Sequence, residues 1–237
     1  IGEYEPQPGD TSAIMTCGSR TGEFSEIKRN MLGMGITLVP TYTDTGLTLT
    51  VSDGAEPEEN VCEIDGTGYP TLDDALAGVN SVEPKTIRLL KNIDYYSGIV
   101  VEDKNITFDL NGFNLNVDNP LTEGTEKERT GLYVEGNGAV DLEGKGEFNV
   151  TGNKYGVYVF VDGSTAGNAA ATVTNAAASG TDGCAAFADG ENAVITVKGD
   201  ATATGTGGIG AMANSSGWVT VKGNVTATAD NIFMDDY

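Results

Sequence analysis

Two stretches near the end of the chain, VITVKGDATATG at 194–205 and WVTVKGNVTATA at 218–229, carry the same order of apolar and polar residues 24 positions apart. Ile195 and Val197, and again Val219 and Val221, fall on one side of an extended chain, with Thr196 and Thr220 on the other. Period-two alternation of this kind predicts a half-buried strand. The Lys198-Gly199 and Lys222-Gly223 pairs that follow read as turns, and the stacked lysines discourage edge-to-edge aggregation.

The same device recurs upstream, in AATVTN at 170–175 centred on Val173, AVDLEG at 139–144 on Leu142 and ITFDLNG at 106–112 on Leu110. Successive centres are separated by 32, 31, 24 and 24 residues. A second strand lies between them: GLYVEG from Gly131, GVYVFVDG from Gly156, GCAAFADG from Gly183 and, more loosely, IGAMANSSG from Ile209. A third follows each centre: FNLNV at 113–117, EFNV at 147–150, DATAT at 200–204 and NVTAT at 224–228. Three short strands per unit, with tolerated changes of length, predict the coils of a β-solenoid stacked in parallel about 4.8 Å apart. An antiparallel sandwich also yields regular short strands, but gives no reason for a line to recur at a fixed step.

Before the first coils, PTLDDALAGVN at 70–80 places Thr71 as an N-cap with Asp74 three residues on. Leu72, Ala75, Leu76 and Val79 share one helical face, so a short helix near 71–79 is expected to cover the open end of the solenoid. Residues 1–60 differ in texture: an acidic lead, IGEYEPQPGDTSA; two strands within 35–54 joined at Asp44-Thr45-Gly46; and a linker, GAEPEEN, at 54–60. The expected organisation is a small β-rich element and linker over 1–60, then a parallel β-helix over 61–237. No capping pattern precedes Tyr237, so the solenoid is expected to continue, or to be closed by something further on.

One ordered set of motifs adds to this reading: Gly66-x-x-Tyr69, the Leu72-x-x-Ala75 helix, TIRLL at 86–90 and DLNG at 109–112. Together, over 62–117, they resemble the opening of the pectate-lyase-like, right-handed parallel β-helix modules of bacterial cell-surface and adhesin-like proteins. The match covers about a quarter of the chain. It implies an all-β fold, a right-handed parallel β-helix with a short N-terminal capping helix. It also implies a bacterial, extracellular, cell-surface or wall-attached setting, with a glycan or a host or bacterial surface protein as partner.

Composition narrows the chemistry. The formal charge is −22, from 35 acidic and 13 basic residues, which disfavours nucleic acid as a partner. No apolar run reaches the roughly 18 residues that span a bilayer, so membrane insertion is not expected. Cys17, Cys62 and Cys184 match no zinc spacing; Cys17 and Cys62 pair only if the setting is oxidising, and three free thiols are the alternative. Polysaccharide lyases on this fold need a Ca²⁺ site beside an arginine, and polygalacturonases need a histidine near paired aspartates. The arginines are Arg20, Arg29, Arg88 and Arg129 alone, and histidine is absent. The expectation is therefore a non-catalytic binding or structural module without a cofactor.

Two groups of side chains remain as candidate sites. Asp109 and Asp141 each precede an inward leucine and are expected at one register on neighbouring coils. A pair about 5 Å apart would serve a retaining glycosidase or a Ca²⁺ ion, and would make a carbohydrate-active enzyme the alternative function. The other reading is a Thr/Asp ladder on a solvated sheet. Tyr133 and Tyr158 are expected outward and one above the other, either as a platform for sugar rings or as a strand-stabilising pair. Affinity is otherwise expected from segments that break the regular coils, 118–130 and 161–169.

Overall fold

The structure is a computed structural model describing residues 7, 9–19, 21–22, 37–52, 59–79, 83–163 and 167–228. Most of the expected lead and linker, residues 164–166 of the second loop, and the final segment to Tyr237 lie outside the described residues. The chain divides into two compact units, 1–59 and 60–237.

In the first unit, Gly46–Ser52 is the middle strand of a three-stranded antiparallel sheet, between Thr11–Thr16 and Thr37–Thr43. Thr43 faces Gly46 across the turn at Asp44-Thr45, and the pairing runs on to Thr37 opposite Ser52. Leu47 and Val51 are its buried side chains.

The second unit is a parallel β-solenoid. Each circuit of the chain places one strand in each of three sheets, giving six turns, of which the last has two described strands. The eight-stranded sheet stacks Lys85–Leu89, Asn105–Asp109, Ala139–Glu143, Ala169–Val173, Ala193–Val197 and Trp218–Val221 in parallel. The six-stranded sheet stacks Ile93–Tyr95, Leu115–Asn119, Phe148–Gly152, Asn175–Ala178, Ala201–Ala203 and Val225–Ala227. The five-stranded sheet stacks Ile99–Glu102, Thr130–Glu135, Tyr155–Phe160, Cys184–Asp189 and Ile209–Asn214. These parallel pairings exclude the antiparallel sandwich.

Like residues stack as the repeat predicts: Val173 beside Val197 beside Val221, and Thr172 beside Thr196 beside Thr220. The largest interior side chains lie in the early coils, where Phe108 and Phe148, both fully buried, meet with ring centroids 5.2 Å apart. Further on, Ala171, Ala176, Ala178, Ala201 and Ala203 share the interior with Val173, Ile195 and Val197. Small side chains there match the close approach of the sheets, because a coil of this length encloses little volume.

At the entry end, Cys62–Ile64 and Thr67–Tyr69 add antiparallel strands to the eight-stranded sheet. The short helix Leu72–Gly78 packs against them, with Leu72, Ala75 and Val79 buried. Thr71 Oγ1 accepts from the Asp74 amide at 3.1 Å, the expected cap, and the Tyr95 hydroxyl donates to Asp73 at 2.6 Å, tying the helix to the first coil.

Polar side chains also stack between coils. The Asn116 amide donates to Asp94 Oδ1 at 2.8 Å, the Asn149 amide to Asn116 Oδ1 at 3.0 Å, and the Asn175 amide to Asn149 Oδ1 at 2.8 Å. Asn175 Oδ1 accepts from the Asp200 backbone, and Asp200 Oδ1 from the Asn224 backbone. This row, half-buried at Asn116, Asn149 and Asn175 and exposed towards both ends, links six successive coils along one sheet.

Candidate functional site

The outer face of the five-stranded sheet carries a cluster of aromatic side chains, Tyr133, Tyr155, Tyr158, Phe160 and Phe187. Alternation sends Ile99, Val101, Leu132, Val134, Val157 and Val159 inward, all nearly or fully buried. The residues between them form an outward row in which Val100, Tyr133, Tyr158, Phe187 and Met212 oppose one another strand by strand. Tyr155 joins the row at its strand's start, its ring against Tyr158 and Phe187, while the register runs evenly from Thr130–Tyr155 to Leu132–Val157. A Cβ on Gly156 would lie 2.5 Å from the carbonyl oxygens of Ala177 and Ala185. Glycine there lets two sheets touch and brings the rings of Tyr155 and Tyr158, three residues apart, to 4.8 Å.

Tyr133 and Tyr158 therefore sit one above the other, yet their surroundings differ from an open platform. Tyr133 is only 7% exposed, Phe187 7% and Tyr155 6%. Tyr133 meets Tyr158 edge-on at 5.3 Å, Tyr158 stacks on Phe187 at 5.0 Å with a 13° interplanar angle, and the Lys127 ammonium lies 4.9 Å above the Tyr133 ring. Burial, then the Asp189, Glu126 and Glu135 charges, pushes the Tyr158 hydroxyl up to about 12. Burial also raises Tyr133, with Glu135 beside it, and Tyr155, with Glu126 beside it. The three phenols stay protonated across the physiological range.

The loop between Asn119 and Thr130 is fastened over one end of this row. Buried Asn119 donates to the Glu128 and Thr130 carbonyls, both at 2.8 Å, and accepts from the Leu121 amide at 3.2 Å. The Glu128 carboxylate accepts from the Thr125 amide at 2.7 Å and hydroxyl at 2.9 Å, which holds it below the usual carboxylate range. Lys127 pairs with Glu102 and lies 3.9 Å from Glu135. Between loop and sheet is a cleft of about 430 Å³ lined by Ser97, Gly98, Val100, Leu121, Thr125, Lys127 and Glu128. Val100 is 45% exposed and Leu121 51%, so the cleft presents two uncovered aliphatic side chains. Glu102, Asp103, Glu135, Gly136 and Asp162 line a second hollow of about 350 Å³.

Asp109 and Asp141 are not brought to one register. Leu142 opposes Phe108, not Leu110, so Asp141 opposes Thr107 and Asp109 opposes Glu143. The expected spacing was off by two because Phe108 and Leu110 are both buried, and a slip of two keeps every side chain on its own face. Asp109 is engaged: Oδ2 lies 3.3 Å from Arg88 Nε and Oδ1 accepts from the Asn111 amide at 3.0 Å, while Arg88 also bonds Glu63 and Asn111. Asp141, exposed in mid-strand, accepts from the Leu142 amide at 2.9 Å through Oδ1. Among the described residues, no group of three or more acidic, cysteine or histidine side chains is placed to hold a metal ion. Cys17 is exposed, Cys62 and Cys184 are buried, and all three are free thiols.

Sequence reasoning missed Val100, Leu121, Lys127, Tyr155 and Phe187. Phe187 was visible but misplaced, since GCAAFADG aligned on GVYVFVDG sets it over Phe160, whereas the strands pair it with Tyr158, two residues away on the same face. Leu121 and Lys127 lie in an insertion with no counterpart in other coils, so no repeat points to them. No helix among the described residues is long and apolar enough to cross a membrane. Comparison with protein-family models, with curated proteins and with solved structures finds no match. The fold therefore stands on the structure alone.

Proposed function

We propose that this chain is a non-catalytic, adhesin-like binding module of a bacterial surface, which holds a glycan or protein ligand in the cleft between the 119–130 loop and the five-stranded sheet. The observation that supports it is the cleft itself: exposed Val100 and Leu121 face a cavity whose walls are fastened by Asn119, Glu128 and Lys127. A rim fixed before the ligand arrives spends little binding energy on ordering. The solenoid would act as a rigid mount for that cleft.

The test is a screen of the immobilised chain against a glycan array and a panel of extracellular proteins, repeated with a Val100→Ser/Leu121→Ser double variant. Both positions are exposed, so the variant should melt with the parent protein. Loss of about tenfold in affinity supports the cleft, since covering an aliphatic side chain contributes about 1.5 kcal/mol or more. Unchanged binding by the variant, or no ligand in either set, would refute it.

A further inference from the structure

Resting on that reading, we infer that the cleft takes an extended protein segment with an apolar and a basic side chain two residues apart, not a sugar. Aromatic faces are what a sugar ring packs on, and here they are in use. Lys127 covers Tyr133, Tyr158 and Phe187 cover each other, and Tyr155 is 6% exposed. Among the described residues, the cleft's own lining holds no aromatic ring: what it leaves uncovered is aliphatic, Val100 and Leu121, and beside it lies a hollow walled by carboxylates.

The two hollows adjoin through one ion pair, Lys127 lining the first and its partner Glu102 the second. Val100 and Glu102 alternate onto the same face of the strand Ile99–Glu102, which sets their side chains about 7 Å apart. An extended peptide repeats its own side chains at that distance. Among the residues lining the second hollow, Glu102, Asp103 and Glu135 bring three carboxylates against one lysine, Lys127, which pairs with Glu102 and lies 3.9 Å from Glu135. The surplus is negative, matching a chain of net charge −22, and it complements a lysine or arginine while repelling an acidic glycan.

The probes are fluorescein-labelled heptapeptides of glycine and serine carrying one leucine and, two residues on, one lysine. Matched peptides replace the lysine with glutamate, replace the leucine with serine, or set the two residues adjacent. Fluorescence anisotropy at low salt should show the spaced peptide binding about tenfold more tightly than each of the three. Glu102→Gln should remove the preference for lysine over glutamate and leave the leucine dependence, whereas Glu191→Gln, on an exposed turn of another coil, should change neither. Equal binding of the spaced and adjacent peptides would overturn the inference. So would glycan binding that Val100→Ser/Leu121→Ser abolishes without any peptide selectivity, an outcome that leaves the binding reading standing. If neither glycans nor peptides bind, both fall.

Discussion

Replacing Asn149 with aspartate asks whether the row of stacked amides contributes to stability or merely accompanies the coils. The side chain donates to Asn116 Oδ1 at 3.0 Å and to Glu147 Oε2 at 3.2 Å, and accepts from the Asn175 amide at 2.8 Å. Asn149→Ala loses all three at a half-buried place, and at roughly 0.5–1.5 kcal/mol for each bond, discounted for exposure, about 1–3 kcal/mol should go. Asn149→Asp keeps the acceptor but turns both donors into a carboxylate facing an oxygen and another carboxylate. Like charges at that distance near a surface repel by up to about 4 kcal/mol before the side chains turn apart, enough to outweigh the one hydrogen bond the aspartate keeps. At neutral pH the aspartate variant should therefore be the less stable of the two by about 1 kcal/mol. The sign reverses in acid: the introduced carboxyl has its folded-state pKa raised by Glu147, so the destabilisation is absent below the carboxylate range and appears as pH rises through it. Urea unfolding of both variants and the parent at pH 7 and pH 4, with hydrogen exchange read on 147–151 and 175–178, measures this. An aspartate variant at least as stable as the alanine variant at pH 7 would refute the reasoning.

Gly156→Ala should cost about 1–3 kcal/mol, because the added methyl meets backbone oxygens of Ala177 and Ala185 that cannot swing aside, whereas Gly163→Ala, with open space around it, should stay within about 0.5 kcal/mol. Paired thermal melts decide between them. Burial pushes the thiols of Cys62 and Cys184 up to about 11, so a thiol reagent should modify exposed Cys17 alone in the folded protein and all three cysteines after denaturation. A folded protein in which Cys17 and Cys62 are both unreactive, with recovery only after reduction, would instead reveal a disulfide.

The architecture was legible wherever coils share a length. Val173, Val197 and Val221 are found stacked because nothing between them shifts the count. Where coil length changes, period-two alternation fixes the face of a residue but not its register, and Asp109 was set against the wrong neighbour for that reason. The stacked amides were visible as an asparagine or aspartate early in each third strand, but bond direction depends on which oxygen each nitrogen meets, which only coordinates supply. The cleft was the least legible part. Its walls come from a strand edge at Val100 and from an insertion, 119–130, whose conformation is set by local capping at Asn119 and Thr125 instead of by the repeat.

Stacking in parallel also dictates how the solenoid answers to force. The ladder hydrogen bonds between the described coils run along the axis, so tension along that axis loads them as a zipper, one circuit at a time. A 24-residue coil such as the one from Val197 to Val221 occupies about 4.8 Å of axis while folded but about 80 Å when drawn out. Pulled from its ends, the module would lengthen as a staircase of such steps, each rupture sparing the coils behind it.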